Sequence, residues 1–344
     1  MKIGIMTFHW ATNYGAVLQA YCLQEYLREQ GHEVEIINYK PKQYDGSFLK
    51  FIRNRDNWKR LSTYSKTKKK EQLLSLFREK YLNCTCRFIR VNNLTDFASK
   101  YDVLISGSDQ ILNPSFTMYG EDSHPSNAYY LGFASNHSVK IGYAVSFGCT
   151  EYPNYAQIQA SNWIQNFDKI GTRENTGLNI LNQLKYTGIS KLVPDPTILY
   201  GSRLFSNVRV DIQGYREDYT CVYMLRHELS LKGKVKVIDE KQTPITMEDW
   251  LTTISHSKAL VTNSYHGMIM AILAHVPFVV LLENGKNAGM NDRFTTLLNI
   301  VGLTSRITNE QSRIEEFINT PIEWSAVEEK LSCFREIGKR LLDI

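Results

Sequence analysis

The first forty residues of the chain alternate apolar runs with a helical stripe of apolar side chains. Lys2–Phe8 is apolar enough for a central parallel strand, and apolar residues recur at helical spacing over Ala16–Gln30. Gly31 is placed to end that helix, and Glu33–Tyr39 follows as the next strand. A strand, a helix and a strand in this order predict a βαβ unit, and therefore a doubly wound α/β fold.

The rest of the chain repeats this alternation on both sides of a proline-rich break. Pro194-Asp195-Pro196 favours a rigid turn, so a hinge is predicted between Pro194 and Tyr215. Before the break, strands are predicted at 101–107 and 140–147, and helices at 154–166 and 174–186. After the break, strands are predicted at 219–225, 235–238, 259–262 and 278–282, and helices at 247–255 and 265–274. The expected fold class is α/β, with two Rossmann-like lobes facing a cleft. The predicted domains are 1–196 and 197–324, followed by a helix at 325–344 that packs back across both lobes.

Composition narrows the class of protein without changing this fold prediction. Of the 344 residues, 43% are hydrophobic and 22% are charged, which is typical of a globular protein and argues against disorder. No apolar run approaches the roughly 18 residues that a membrane-spanning helix needs, and the N-terminal run suits a buried strand better than a signal peptide. The six Cys are too scattered for a disulfide framework or the usual zinc spacing. These features predict a cytoplasmic protein with reduced thiols.

The net charge of +5 is concentrated in one segment. Between Lys50 and Lys80 there are eleven Lys or Arg and three acidic residues, so the remainder of the chain is slightly acidic. Because only this segment is basic, no nucleic acid partner is expected. Apolar residues interrupt the basic ones, which leaves two interpretations open. The segment is either a solvated helical connection or an amphipathic surface that touches anionic lipid or a phosphate-bearing acceptor.

Polar residues that follow predicted strands are the candidates for chemistry, because ligands of open α/β sheets bind beyond the carboxyl ends of the strands. The turn Asn13-Tyr14-Gly15 opens the first helix, where backbone N–H groups can hold an anion, but it lacks the GxGxxG pattern of dinucleotide sites. Gly107-Ser108-Asp109-Gln110 closes another strand and suits a binding turn or a helix cap equally well. Arg173 also follows a predicted strand and suits either an anion site or a surface ion pair.

The sharpest of these stretches is Thr262-Asn263-Ser264-Tyr265-His266-Gly267, which ends one strand and opens the next helix. His266 falls in the first helical turn, where the helix dipole attracts anions, although a packed or capping histidine would give the same pattern. Lys286 and Arg293 follow the next strand and could converge on the same crevice. The sequence has no HExxH, Walker loop, paired Cys cluster or Ser–His–Asp spacing, so neither a metal nor a covalent nucleophile is expected.

Seven segments in the expected order resemble the polysaccharide pyruvyl transferase family over nearly the whole chain. They are NYGAVLQAYCLQEYL, YDVLISGSDQI, KIGYAVSFG, TRENTG, VPDPTIL, TNSYHGMIMAILAHVPF and NDRFTTLLNIVGL. The chain departs from the family where Ile111-Leu112 replace a common Val-Trp, Tyr265 replaces a Phe, and Asn263 replaces an acid. None of these changes removes a residue that the chemistry needs.

The resemblance implies a GT-B-like fold and a reaction with phosphoenolpyruvate as the donor substrate. The pyruvyl group would be transferred to two hydroxyls of a sugar in a surface polysaccharide or its precursor, forming a pyruvate ketal and releasing phosphate. The donor carries a carboxylate and a phosphate, so its site needs cations and helix N-termini. The residues expected to bind substrate are Arg173, Ser264, Tyr265, Lys286, Arg293, Asn13, Tyr14, Gly15 and Ser108. His266 is expected to protonate the donor's methylene carbon, and Asp109 or Asp195 to accept a hydroxyl proton.

The expected partners are phosphoenolpyruvate and a sugar acceptor, with the acceptor on the N-terminal domain and the donor on the C-terminal domain. The acceptor could be lipid-linked, and the protein would then contact the inner membrane face peripherally. No cofactor is expected besides the donor substrate. Two other functions stay open. One is a GT-B glycosyltransferase that uses a nucleotide sugar, and the other is a catalytically inactive carbohydrate-binding module.

Overall fold

Six parallel strands form the first sheet, in the order β2-β1-β3-β4-β5-β6. The strands are β1 (Lys2–Met6), β2 (Glu33–Ile36), β3 (Val103–Asp109), β4 (Val139–Val145), β5 (Lys169–Thr172) and β6 (Ile189–Leu192). The computed structural model describes residues 1–45, 61–212, 216–225, 229–283 and 289–344, with the backbone alone for 61–64. The central strands are apolar on both faces because helices cover both sides of a parallel sheet.

Five parallel strands form the second sheet, in the order β11-β10-β9-β7-β8. They are β7 (Glu217–Tyr223), β8 (Val235–Val237), β9 (Ser257–Thr262), β10 (Phe278–Leu281) and β11 (Ile307–Thr308). Strand β9 is buried from Ala259 to Thr262, which explains the apolar run Ala259–Val261. With the alternating helices, the two sheets confirm the predicted α/β class.

Helices alternate with the strands along the chain. They are α1 (Tyr14–Glu29), α2 (Leu61–Tyr81), α3 (Thr95–Ala98), α4 (Pro114–Thr117), α5 (Asn154–Trp163), α6 (Asn175–Gln183), α7 (Pro196–Tyr200), α8 (Arg203–Asn207), α9 (Met247–Ser255), α10 (Tyr265–Leu273), α11 (Asp292–Val301), α12 (Ile314–Asn319) and α13 (Trp324–Leu342). Short 3₁₀ segments are formed by Lys42–Tyr44, Val91–Leu94, Ala128–Tyr130, Ile164–Asn166, Thr304–Arg306 and Gln311–Arg313. In the described part of the chain, no helix has the length and apolarity needed to cross a membrane.

The chain forms two compact units, each built around one sheet. The first contains the described residues of 1–58, 78–199 and 334–344, and the second those of 59–77 and 200–333. The chain thus passes from the first unit to the second between Leu199 and Tyr200. This point lies three residues after the predicted domain boundary at 196/197. Helix α13 begins in the second unit, and its residues from Phe334 onward belong to the first. In the first unit, the Arg335 guanidinium of this helix donates to the Ile198 carbonyl at 2.8 Å.

The basic segment, residues 50–80, was predicted to belong to the N-terminal domain, but part of it groups with the second unit. Residues 59–77 group with the second unit, while residues 46–60 lie outside the described part of the chain. The Lys70 ammonium lies 2.5 Å from the Glu240 carboxylate, and Lys66 bonds to Gln242. Lys70 is only 6% exposed, and a buried ammonium needs a counter-charge. Glu240 supplies that charge, and this pair lies within the second unit, whereas the last residues of α2, from Arg78 onward, belong to the first.

Each sheet has one position where the chain reverses its direction of travel across the strands. In the first sheet the chain moves from β1 outward to β2 and then returns to place β3 on the other side of β1. In the second sheet it moves from β7 to β8 and then places β9 on the other side of β7. Ligands of open α/β sheets bind in the crevice beyond the carboxyl ends of the strands at such a reversal. The two places to look for chemistry are therefore the carboxyl ends of β1 and β3, and of β7 and β9.

Candidate active site

An ion cluster lies at the carboxyl edge of the first sheet. The Arg173 guanidinium, directly after β5, lies 2.8 Å from the Asp109 carboxylate at the end of β3 and 3.1 Å from Asp195. Glu174 is the third carboxylate, at 3.4 Å. The side chains of Arg173 and Asp195 have no exposed surface, whereas that of Asp109 is 20% exposed. Of the two aspartates that pair with Arg173, Asp109 is therefore the one that solvent and a ligand can reach.

Polar contacts from the neighbouring strands hold this cluster in place. The Ser108 hydroxyl lies 2.7 Å from the Ala144 carbonyl and 3.2 Å from the Asp195 carboxylate. The Ser108 amide donates to the Gln19 side chain at 2.8 Å, and Gln19 donates in turn to the Thr7 hydroxyl. Asp195 also accepts from the Thr197 amide and hydroxyl. Ser108, which the sequence predicted to bind substrate, is fully buried and bonded inside the unit.

The predicted Asn13-Tyr14-Gly15 turn opens helix α1, next to the end of β1. The Asn13 side chain accepts a hydrogen bond from the Ala16 amide at 3.0 Å and so caps the helix. Tyr14 is fully buried and so offers no side chain to a ligand, and Gly15, which has no side chain, is buried as well. The binding role predicted for these residues stays a prediction.

His9 was not among the predicted site residues, although it lies just beyond the end of β1. It is 2% exposed, and its ring nitrogens lie 3.1 Å from the Thr7 carbonyl and 3.1 Å from the Asn38 side chain. Burial lowers the pKa of His9 to about 4, so the ring is neutral at physiological pH. His9 is therefore a buried structural histidine.

The second candidate edge lies where β9 ends and helix α10 begins. Ser264 is the N-cap, and its hydroxyl accepts a hydrogen bond from the Gly267 amide at 3.2 Å. The Ser264 amide donates to the Thr262 hydroxyl at 2.9 Å, and that hydroxyl donates to the Tyr223 carbonyl of β7. These bonds fix the helix start against the reversal point of the sheet. His266 lies in the first helical turn, as predicted, and is 7% exposed.

A second hydrogen-bond network joins the loops that follow β7, β9 and β10. The Asn263 side chain accepts from the Leu225 amide at 2.7 Å and donates to the Glu283 carboxylate at 2.6 Å. Glu283 is 4% exposed, and its amide and carbonyl both bond to the Asn291 side chain. The sequence reasoning did not find Glu283 or Asn291. The sequence features that could have indicated them are the position of Glu283 shortly after a buried strand and the position of Asn291 directly before the next helix.

Two cations were predicted to approach this helix start. The Arg293 guanidinium, in the first turn of α11, lies 5.5 Å from the centre of the Tyr265 ring and 5.4 Å from that of Phe294. Arg293 is therefore beside the helix start that carries His266. Lys286 lies outside the described residues. A cavity of about 330 Å³ also adjoins this edge, with Leu225, Val237 and Glu240 in its lining.

No cluster of three or more His, Cys, Asp or Glu side chains able to hold a metal ion occurs among the described residues.

A family model describes the sequence over most of its length. The model for polysaccharide pyruvyl transferases matches residues 13–284. The chain belongs to the polysaccharide pyruvyl transferase family. The matched region of this pyruvyl transferase family member includes Asp109, Arg173, Asp195 and His266, while Arg293 lies beyond it. No curated protein is significantly similar to the chain in sequence.

Solved structures resemble the whole family member in fold. UDP-GlcNAc 2-epimerase from Methanocaldococcus jannaschii is 11% identical, with a TM-score of 0.51 over 99% of this chain and 98% of that one. An α-glucosyltransferase in complex with UDP and a 13-mer DNA is 10% identical, with a TM-score of 0.50 over 100% of both chains. The S. aureus MnaA-UDP structure is 10% identical, with a TM-score of 0.50 over 99% of this chain and 95% of that one. The likeness confirms the predicted GT-B-like fold class with two Rossmann-like units, and at this identity it carries no information about the ligand.

Proposed function

We propose that this protein transfers the pyruvyl group of phosphoenolpyruvate to two hydroxyls of a sugar, forming a pyruvate ketal. Membership of the polysaccharide pyruvyl transferase family supports the reaction class. The observation that carries the proposal is the position of His266, in the first turn of a capped helix at the reversal point of the second sheet. That position combines an anion-binding helix start with a side chain able to donate a proton.

The donor is assigned to the second edge because a long helix begins there and a cation lies beside it. Phosphoenolpyruvate is an anion with a carboxylate and a phosphate. At the first edge, the Arg173 guanidinium lies within 3.4 Å of the carboxylates of Asp109, Glu174 and Asp195. At the second edge, the amides of the α10 start point along the helix axis and Arg293 lies beside Tyr265. The helix dipole and this cation favour the donor there.

His266 is proposed to be the general acid. It protonates the methylene carbon of the donor, which becomes the methyl group, while positive charge develops at the adjacent carbon. A first acceptor hydroxyl adds to that carbon. The phosphate then leaves as the second hydroxyl adds, so two C–O bonds form and one breaks. Of the two hydroxyl protons released, one replaces the proton that the histidine gave and the other leaves with the phosphate.

Asp109 is proposed to be the base that first receives a hydroxyl proton, before that proton passes on to the histidine or leaves with the phosphate. The sequence left Asp109 and Asp195 as alternatives, and their surroundings favour the first. Asp195 is fully buried and is bonded to Thr197, Ser108 and Arg173. Asp109 keeps 20% of its side chain exposed while Arg173 holds it at 2.8 Å. An ionised carboxylate that is fixed in position and open to solvent is suited to accept a proton.

Donor binding by Arg173 stays a prediction, and its surroundings favour another role. Its side chain has no exposed surface and its guanidinium contacts three carboxylates. A cation in this situation holds the carboxylates in place, and Asp109 is the one that faces solvent. We therefore propose that Arg173 positions Asp109.

Contact of the basic segment with a lipid surface or a lipid-linked acceptor also stays a prediction. Lys68 and Lys69 are exposed on α2. Lys70 is buried against Glu240 and is not available. A test of this contact therefore replaces Lys68 and Lys69 with Gln and leaves Lys70 unchanged.

The proposed function is tested by incubating the protein with phosphoenolpyruvate and a panel of sugar acceptors. We expect phosphate release that requires an acceptor, and a product that carries the ketal methyl group in its NMR spectrum. Release of a nucleoside diphosphate from a nucleotide sugar, without phosphate release from phosphoenolpyruvate, would instead support a glycosyltransferase. Sugar binding with neither release would support a carbohydrate-binding module.

A further inference from the structure

Within the second unit, a buried series of polar side chains connects helix α2 to the end of strand β7. The Lys70 ammonium lies 2.5 Å from one carboxylate oxygen of Glu240, and the Tyr223 hydroxyl donates to the other. Lys70 is 6% exposed and Tyr223 is 1% exposed, so water competes little for these bonds. Glu240 therefore joins α2 to Tyr223, which is the last residue of β7.

The backbone of Tyr223 extends this connection to the start of α10. Its carbonyl accepts a hydrogen bond from the Thr262 hydroxyl at 2.6 Å, and that hydroxyl accepts one from the Ser264 amide at 2.9 Å. The Ser264 hydroxyl in turn accepts from the Gly267 amide at 3.2 Å. An unbroken series of polar contacts thus leads from α2 to the first turn of α10.

The Tyr223 ring also packs directly against this first turn. A methyl group at Gly267 would lie 2.8 Å from a ring carbon of Tyr223 and 3.2 Å from the Thr262 hydroxyl. Glycine is a poor helix former, and this close approach explains its place next to His266. The buried Trp250 ring lies edge-on to the Tyr223 ring, with the ring centres 5.7 Å apart. A shift of the Tyr223 ring would therefore displace the turn that carries His266.

Charge gives Lys70 an influence on this turn although it lies on another helix. Two donors, the ammonium and the Tyr223 hydroxyl, hold the Glu240 carboxylate in one place. The Glu240 side chain is 15% exposed. Without the Lys70 charge, hydration would draw the carboxylate toward the solvent. The Tyr223 hydroxyl would then lose the acceptor that fixes its ring.

We propose that Lys70, Glu240 and Tyr223 are positioning residues for His266. They act through the Tyr223 ring and through the hydrogen bonds that start at its carbonyl. A proton donor must be held in the right direction, and a displacement of about 1 Å can cost about 10²-fold in rate. This inference rests on the proposed function, which makes His266 the general acid. It adds that the basic helix α2 supports the donor edge.

Tyr223→Phe tests the hydroxyl of this series while keeping the ring. We expect kcat to fall by about ten- to a hundredfold, with little change in KM for phosphoenolpyruvate. Tyr219→Phe is the matched control, because Tyr219 also lies on β7 and loses a bond of 2.8 Å, to the Thr253 carbonyl. Each variant loses one hydroxyl bond, so their melting temperatures should fall alike. Equal kcat values for the two variants would overturn the proposal.

Lys70→Met tests the contact with α2. Lys66→Met is the matched control, because Lys66 bonds from the same helix to Gln242, two residues after Glu240. We expect only Lys70→Met to lower kcat. Combined with Tyr223→Phe, it should lower kcat by less than the product of the two single factors, because both substitutions act through Glu240. A reduction equal to that product would show that the two residues act separately and would contradict the proposal.

Amide hydrogen exchange without substrate separates a failure of this proposal from a failure of the proposed function. In peptides that cover Thr262–Met270, exchange should be faster in Tyr223→Phe and Lys70→Met than in the wild type and the two controls. Unchanged exchange in both variants would overturn the positioning role even if kcat fell. A wild type that releases no phosphate from phosphoenolpyruvate would contradict the proposed function. Faster exchange in the two variants would then still support the connection from α2 to the helix start.

Discussion

The carboxyl edges of the two sheets use polar residues in different ways. At the first edge the charges satisfy one another: Arg173 is buried among three carboxylates, and Ser108 and Gln19 tie this cluster to the strands. At the second edge a capped helix start carries His266, and the Arg293 guanidinium lies beside the rings of Tyr265 and Phe294. The first arrangement fixes a carboxylate, and the second favours an anion.

Under the proposed function, the two edges would serve two unlike substrates. A donor anion needs positive potential, which a helix N-terminus and a cation provide. An acceptor hydroxyl needs a fixed base, and a carboxylate held by a buried guanidinium provides one. The two α/β units thus have the same reversal of strand order, and the residues at each reversal would decide whether it binds the donor or the acceptor.

The largest effect is expected for His266→Gln. Gln has a similar reach but cannot transfer a proton, and the loss of a general acid typically costs about 10²–10⁴-fold in rate. We expect kcat to fall by that factor while KM for phosphoenolpyruvate changes little. His275→Gln is the matched control, because His275 stacks on Trp324 at a ring distance of 5.0 Å and lies outside the candidate edge. Near-normal kcat with a lowered melting temperature for His266→Gln would instead identify a structural histidine.

Arg173→Met probes the first edge through stability. The substitution leaves the fully buried Asp195 without its guanidinium, and breaking a buried pair costs about 3–5 kcal/mol. Urea unfolding should show this loss, and adding Asp195→Asn should recover part of it. Lys100→Met removes a more exposed ion pair with Glu35 and should cost about 1 kcal/mol or less. A stable Arg173→Lys variant with a greatly raised KM for phosphoenolpyruvate would return Arg173 to donor binding.

His9 allows a test of the first edge by pH. Its pKa in the folded protein is about 4 and the ordinary value is 6.5, so the unfolded chain binds the proton more readily. The stabilisation of the folded protein by the neutral, buried His9 is therefore complete above pH 6.5, and it is lost as the pH falls from 6.5 to 4. The loss amounts to about 3 kcal/mol. In His9→Gln, the free energy of unfolding should fall less between pH 7 and pH 4.5 than in the wild type, and parallel curves for the two proteins would contradict this account.

The smallest effects are expected at the two helix caps. Asn13→Ala and Ser264→Ala each remove a side-chain acceptor from a first-turn amide, which costs about 1 kcal/mol of stability. The two variants should thus unfold alike. Only Ser264→Ala is expected to raise KM for phosphoenolpyruvate, because only its helix start is proposed to bind the donor. An equal rise in both variants would mean that the two edges share the donor.

Elements were predictable where local signals agreed. Helix α9 has the bounds that the sequence predicted, because Thr246 caps it and Glu248 and Asp249 fill its first turn. Strands β6 and β11 were missed, since β6 is a four-residue edge strand with alternating exposure and β11 has two residues. Such short strands are defined by their partners in the sheet rather than by their own pattern.

The candidate site was predictable as a set of positions but not as a set of contacts. His266 and Asp109 follow strands, so their place at carboxyl edges could be inferred from sequence. Two of the three carboxylate partners of Arg173, Asp109 and Asp195, are 64 and 22 residues away, and no local spacing indicates that they meet it. For the same reason the Asn263–Glu283–Asn291 network escaped detection, because tertiary packing alone brings its members together.

Hydrogen exchange measured with and without phosphoenolpyruvate tests most directly which edge takes the donor. Peptides that cover Thr262–Met270 report on the second edge, and those that cover Trp10–Leu18 and Leu104–Gln110 report on the first. The account predicts that the donor alone slows amide exchange in the Thr262–Met270 peptides. It predicts no change in the peptides that cover Trp10–Leu18 and Leu104–Gln110. Slower exchange confined to Trp10–Leu18 or Leu104–Gln110 would contradict it.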